Sequence, residues 1–158
     1  MKLVEIIPEG CIMDDLKATQ KEEVIREMVG ALVKAGRIEE ATSKKVIKAL
    51  MDREELGSTG IGSGVAVPHA KHDSITDLVG AFGRSKKGIS FDALDGEPVH
   101  VLFLLLSSKS ASGAHLEALA YISRAVRKEQ WVKFLRDAQD TAGLRQLLVE
   151  ADEDLSGS

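Results

Sequence analysis

The run Val99-His100-Val101-Leu102-Phe103-Leu104-Leu105-Leu106 is apolar at every position except His100, and it constrains the fold more than any other stretch of the chain. A strand with one wetted face alternates polar and apolar residues, so an unbroken apolar run of strand length has both faces covered. It is far too short to cross a bilayer as a helix. A sheet with this strand inside it needs other layers packed on both sides. His100, within the run, reads as a core or sheet-edge histidine.

Composition agrees with one such unit. At 158 residues with 44% hydrophobic side chains, the chain has enough apolar material for one substantial core. Its formal net charge of -4 argues against nucleic acid as a partner, since no basic face or aromatic-basic interleaving is present. The single cysteine, Cys11, has no internal partner, and the sequence shows neither a secretory apolar segment near its start nor a run long enough for a membrane helix. The expectation is a cytoplasmic protein with no direct membrane insertion.

Along the chain, an extended opening over residues 2–7 is closed by Pro8. Thr19 and Glu22 have the spacing of a capping box, after which Val24, Ile25, Met28, Val29, Leu32 and Val33 recur at helical period until Gly36 ends the helix. A second helix is predicted over 38–56, with Val46, Ile47, Leu50 and Met51 inward and Arg53 near its end. Strands follow over 65–67, 78–83 and 99–106, the last two joined by Lys86-Lys87-Gly88 and Asp95-Gly96 turn chemistry. From Gly113 a third helix carries Leu116, Leu119, Ala120, Ser123 and Val126 on one face, with His115 in its first turn. Trp131, Phe134 and Leu135, then Leu144, Leu147 and Leu148, mark two shorter helices. Residues 152–158 carry too little apolar content to pack and are expected to be disordered. The predicted fold is α/β, a single-domain sandwich of a mixed β-sheet flanked by helices over 1–150, with 151–158 as an acidic Ser-Gly tail.

Chemistry concentrates in Gly57-Ser58-Thr59-Gly60-Ile61-Gly62-Ser63-Gly64-Val65-Ala66-Val67-Pro68-His69-Ala70-Lys71. Pro68 fixes its own φ and pushes Val67 toward extended geometry, so His69 leaves the end of a strand in a set direction, beside N–H groups that the glycines leave uncovered. The loop lacks the spacing of a dinucleotide fingerprint and precedes a strand where that motif follows one; it also lacks the lysine of a Walker A loop. His69 has two readings: a surface histidine after a proline turn, or a nucleophile that takes up a phosphoryl group, with Ser58, Thr59, Gly60, Gly62 and Gly64 forming a phosphate loop of donors. His115 is either a helix-start histidine of no consequence or, with its helix start facing the loop, a second donor beside a phosphorylated His69. Arg53 either caps its own helix or neutralises phosphoryl charge. His72, followed by Asp73, raises a two-histidine metal site, but neither HExxH nor paired cysteines accompany it, and no metal is expected. Serine-hydrolase chemistry has no Gly-x-Ser-x-Gly elbow to stand on.

Taken together, Arg53-Glu54, Ser58-Thr59-Gly60-Ile61-Gly62, Gly64-Val65-Ala66-Val67-Pro68-His69, Phe91-Asp92-Ala93-Leu94-Asp95-Gly96-Glu97-Pro98-Val99, and His115-Leu116 with Leu119 resemble the type-2 IIA domain of the bacterial phosphoenolpyruvate-dependent phosphotransferase system, in its fructose, mannitol and nitrogen-regulatory class. The resemblance covers nearly the whole chain. It implies a phosphotransferase in which His69 accepts a phosphoryl group from the histidine-phosphocarrier protein HPr, or its nitrogen-branch equivalent, and passes it to a IIB domain or holds it as a signal to a regulated protein partner. It implies no cofactor and no metal, with His115 stabilising the phosphate and Arg53 stabilising charge. The sequence contains no IIB or membrane part, which points first to nitrogen-type regulation, with fructose- or mannitol-type sugar uptake as the alternative. The segment Ser107-Ser108-Lys109-Ser110-Ala111-Ser112 departs from the family's pattern in being unusually serine-rich.

Overall fold

In the computed structural model, which describes residues 1–156, the apolar run lies inside a six-stranded mixed sheet. The strands are β1 (Ile12–Met13), β2 (Gly60–Gly62), β3 (Val65–Ala66), β4 (His69–Lys71), β5 (Val79–Ile89) and β6 (Val99–Ser107); the helices are α1 (Leu3–Ile6), α2 (Lys21–Lys34), α3 (Glu40–Glu55), α4 (Ser112–Val126), α5 (Glu129–Asp137) and α6 (Thr141–Ser156). β5 and β6 form a long antiparallel pair, and β1 lies parallel on the outside of β5. On the other side of β6, β3 and β4 follow one another along the same edge, both parallel to it, and β2 folds back antiparallel on β3.

β6 is buried on both faces, as its composition requires. Phe103 stacks against Trp131 of α5 with ring centroids 6.1 Å apart, and Ser107, on the same face of the strand, meets His115 of α4. Leu102, Leu104 and Leu106 point to the opposite face and are completely buried too. α2 packs on β5 and α3 on β4, while α4 and α5 pack on β6. One contiguous apolar core joins residues from α1 to α6.

Several elements depart from the sequence expectations, each for a tertiary reason. Residues 3–6 are helical rather than extended, because the carboxylate of Asp152, far along the chain in α6, accepts the N–H groups of Leu3 (2.7 Å) and Val4 (3.1 Å). That same carboxylate accepts the Tyr121 hydroxyl and is buried, so α6 continues through residues expected to be a disordered tail and reaches Ser156. The part of that expectation concerning 157–158 lies outside the described residues. The capping box at Thr19 does not form: Gln20 is the N-cap without a side-chain bond, and the Thr19 carbonyl instead accepts the Ser90 N–H at 3.3 Å. β5 runs six residues beyond the predicted 78–83, and Lys86-Lys87-Gly88 is a bulged stretch of strand rather than a turn. Finally, α4 buries His115, Ala118, Tyr121, Ile122 and Ala125, one step round from the predicted stripe. Leu116 is therefore 64% exposed.

Candidate functional site

The site is built where β3 hands over to β4. The Val67 N–H donates to the Thr59 carbonyl (3.0 Å), and the Pro68 carbonyl accepts the Leu105 N–H (3.0 Å). Pro68 itself has no N–H to offer a neighbouring strand. Pairing with β2 thus ends at the proline, while pairing with β6 resumes at His69, opposite Leu105. The outer edge of β4 is left to α3, which packs against it and brings Arg53 alongside.

The His69 ring is half-buried, and its Nδ1 lies 2.7 Å from the Val67 carbonyl oxygen. A carbonyl only accepts, so Nδ1 carries the ring proton and Nε2 of the neutral ring carries the lone pair. The ring's pKa is held below the usual 6.5, chiefly by burial, with the charges of Arg53 and Lys71 pushing the same way against the Val67 bond and Glu54. His115 stands beside it, with ring centroids 5.5 Å apart at 55°, and is buried in the first turn of α4. Its pKa is pushed down to about 4, first by burial, then by His69 and Lys71. Both imidazoles are therefore neutral at physiological pH.

The structure brings Arg53, His69 and His115 together around one open depression, which Lys71, Leu116, Leu119 and Leu56 also line. Arg53 donates from Nη1 to the Gly57 carbonyl at 2.9 Å, a bond that closes the end of α3 and holds the guanidinium beside His69. The helix-cap reading of Arg53 is met by this bond, and the guanidinium also lines the depression that holds His69. Ser58 and Thr59 line an adjoining recess with His69, Ile61 and Val67.

Three amides of the glycine loop are already engaged by side chains. The Thr59 N–H is taken by Glu54 and the Gly60 N–H by Ser58 Oγ, while the Ser63 N–H goes to Asp95. Gly60 is needed for packing, since a Cβ there would sit 2.8 Å from that of Ala93. Ser63 (φ 56°) and Gly64 (φ 79°) are the central pair of the β2–β3 hairpin, both left-handed as a type I′ turn demands. From Val65 to His69 the paired edge advances from Val101 to Leu105, roughly 13 Å of strand. Gly62 and Gly64 are consequently not at His69; they belong to the hairpin tip, where Gly64 and Ser63 neighbour Asp95, Pro98 and His100.

His72 bonds locally to Ser74, and among the described residues no group of three or more His, Cys, Asp or Glu side chains is placed to hold a metal ion. His100 donates from Nδ1 to the Ser85 carbonyl at 2.8 Å, a satisfied sheet histidine as its strand context suggested. Sequence reasoning missed three participants. Glu54 is buried, accepts the Thr59 N–H and hydroxyl, and pairs with Lys21 at 3.1 Å. Lys71 reaches Ser112 at the start of α4 (3.2 Å). Ser107 bonds His115 Nδ1 at 2.6 Å. The signal for Lys71 was its period-2 spacing from His69; Glu54 and Ser107 had none beyond lying in motifs that drew attention for other residues.

Comparison with known proteins converges on one family. The family model for the phosphoenolpyruvate-dependent sugar phosphotransferase system, EIIA 2, matches residues 5–151. The PTS system fructose-specific EIIABC component of Bacillus subtilis (strain 168) is 37% identical over 153 residues, 97% of this chain, and the chain spans 24% of that protein's length. The nitrogen regulatory protein of Bradyrhizobium diazoefficiens is 33% identical over 149 residues, covering 94% of this chain and 95% of that one. The crystal structure of nitrogen regulatory protein IIA-Ntr from Neisseria meningitidis superposes with a TM-score of 0.83 at 33% identity, covering 91% of this chain and 97% of its own. Among the described residues no helix is long and apolar enough to cross a membrane. A mixed sheet flanked by helices, matched by this family model from near its first residue to α6, shows that the chain belongs to the EIIA type 2 family of the phosphoenolpyruvate-dependent sugar phosphotransferase system.

Proposed function

We propose that the chain is a phosphocarrier whose His69 accepts a phosphoryl group through Nε2 from phosphorylated HPr or its nitrogen-branch equivalent. The observation that carries this reading is the Val67–His69 bond, which leaves a neutral, outward nitrogen lone pair in a depression lined by cations. In the transfer, the His69 Nε2 lone pair attacks phosphorus as the P–N bond to the donor's ring breaks, its electron pair returning to that ring. His69 then carries both the phosphoryl group and the Nδ1 proton, and the resulting positive ring is stabilised by the Val67 carbonyl below and the phosphoryl dianion above. Arg53, Lys71 and His115 supply charge and a hydrogen-bond donor to the phosphoryl oxygens, the role that uncovered amides were expected to fill. Positioning accounts for most of such a reaction.

For the downstream step, the end-to-end match to a nitrogen regulatory protein and the IIA-Ntr superposition support a regulatory role, in which the charge state of His69 controls a protein partner in the cytoplasm. The fructose-specific relative, at 37% identity, supports a second reading in which phosphate passes to a IIB domain for sugar uptake. Incubation with enzyme I, the phosphocarrier protein and labelled phosphoenolpyruvate is expected to give acid-labile label on the wild type and none on His69→Ala; an unlabelled wild type refutes the phosphocarrier reading. Rapid transfer of that label to a fructose IIB domain selects uptake, and a partner that binds one charge form only selects regulation.

A further inference from the structure

Ser107 closes β6 and is completely buried, yet among the described residues its hydroxyl meets one polar atom, His115 Nδ1 at 2.6 Å. The hydroxyl carries one proton, and away from water that proton needs an acceptor. With the ring proton on Nδ1, the imidazole would donate to Oγ and the hydroxyl proton would be stranded. With Nδ1 bare, the hydroxyl donates to it and both groups are satisfied. The single proton of a neutral imidazole then resides on Nε2, which has no hydrogen-bond partner among the described residues and is not sealed from solvent.

The placement of Ser107 is tied to that of the nucleophile. Lys71 is in register with Ser107 as His69 is with Leu105, and the Ser107 carbonyl also accepts the His72 N–H at 3.0 Å. Residues two apart on a strand share a face, so the Ser107 hydroxyl and the His69 ring rise from the same side of the same ladder toward α4. The backbone hydrogen bonds of β4 and β6 thereby fix both ends of the Ser107–His115–His69 array.

We propose that Ser107 is a positioning residue that holds His115 as the Nε2–H tautomer, so that the ring turns a donor, and not a lone pair, toward a phosphoryl group on His69. This rests on the phosphocarrier reading above. A lone pair in that place would repel phosphoryl oxygens, and an unanchored ring would be free to turn about χ2.

Nitrogen-15 NMR of the full chain at neutral pH reads the tautomer without any phosphoryl donor, and single-turnover labelling from the phosphorylated carrier reads the rate. The wild type is expected to show His115 protonated at Nε2. Ser107→Ala is expected to slow the gain of label roughly tenfold, Ser107→Thr to restore it, and Ser107→Ala to cause no further loss in a His115→Ala background. A wild type protonated at Nδ1, or a Ser107→Ala loss that persists undiminished without His115, overturns the proposal. Should Ser107→Ala fail to fold, the wild-type tautomer and the Ser107→Thr rate decide it. A wild type with the Nε2–H tautomer that takes no label overturns the phosphocarrier reading instead.

Discussion

The ring of His69 turns back on its own backbone to donate from Nδ1 to the carbonyl of Val67, 2.7 Å away, across a proline that contributes no N–H of its own. The nitrogen left free for the proposed transfer is thus chosen by chain geometry before any partner arrives. Burial, Arg53 and Lys71 outweigh the Val67 bond and Glu54 and keep the ring's pKa below 6.5. An NMR titration of the His69 ring is expected to place its midpoint below the ordinary histidine value, with the neutral Nδ1–H form dominant at pH 7. A midpoint above 6.5 would show that the Val67 bond and Glu54 outweigh burial and the two cations.

His115 links the site to folding stability. Its pKa is about 4 in the fold and 6.5 in an unconstrained histidine, so as pH falls below 6.5 the unfolded chain takes up a proton that the folded chain refuses. This contribution is present above pH 6.5 and is lost as pH falls toward 4, amounting to about 3 kcal/mol by the end of that range. Urea unfolding should show a steeper pH dependence for wild type than for His115→Asn between those limits, by up to about 1.4 kcal/mol per pH unit. Parallel slopes would mean that His115 protonates without penalty in the fold.

Arg53 carries the charge expected to meet the phosphoryl group, and its Nη1 bond to the Gly57 carbonyl shows what holds it there. Arg53→Gln is expected to lower the rate of phosphoryl gain by about a hundredfold, while costing less than about 1 kcal/mol in unfolding free energy because the side chain is partly exposed. Arg53→Lys should recover part of the rate, since it restores charge without the planar fork. A rate unchanged in Arg53→Gln would leave Lys71 and His115 as the only stabilising groups.

How much of this was legible in the sequence follows from how local each cause is. The two-sided burial of β6 and the apolar stripes of α2 and α3 reside in short stretches and are found where the sequence places them. The approach of His115 to His69, by contrast, joins distant segments; from the residues alone it is one of two open readings, and only the resemblance implies it. α1 was not legible because its first turn is capped by Asp152, nearly the whole chain away, and the same bond orders a segment that looks too polar to pack. Composition shows where amides are uncovered by side chains of their own residue, but not that Glu54, Ser58 and Asp95 engage those of Thr59, Gly60 and Ser63, nor that Gly62 and Gly64 sit at a hairpin tip away from His69. Ser107 was invisible for a related reason: only the register of β4 on β6 brings its hydroxyl to His115.

Asp152 is expected to matter for stability and not for transfer. Its buried carboxylate accepts three hydrogen bonds, from the N–H groups of Leu3 and Val4 and from the Tyr121 hydroxyl. Asp152→Ala removes all three and strands buried donors, at a cost of about 3 kcal/mol. Urea denaturation checks the magnitude. The labelling rate of the folded fraction should match wild type, and a loss below about 1 kcal/mol would show that α1 is held by apolar packing alone.

Gly64→Ala separates the two roles that a glycine in this loop can have. Space is not the obstacle, since the nearest atom to an added Cβ is Arg136 Nη1 at 3.7 Å; the obstacle is a φ of 79°, which an L-side chain occupies at a cost of about 1 kcal/mol. If Gly64 serves the hairpin, Gly64→Ala lowers stability by that amount and leaves the rate of phosphoryl gain within about twofold of wild type, because the turn lies more than roughly 13 Å of strand away from His69. Gly60→Ala is the contrasting case: its Cβ would press on Ala93 at 2.8 Å and displace Thr59, the wall of the recess beside His69, so both stability and rate should fall. A tenfold slower transfer in Gly64→Ala with stability intact would instead put the hairpin tip in the phosphoryl site, and the assignment of its glycines to turn geometry would fail.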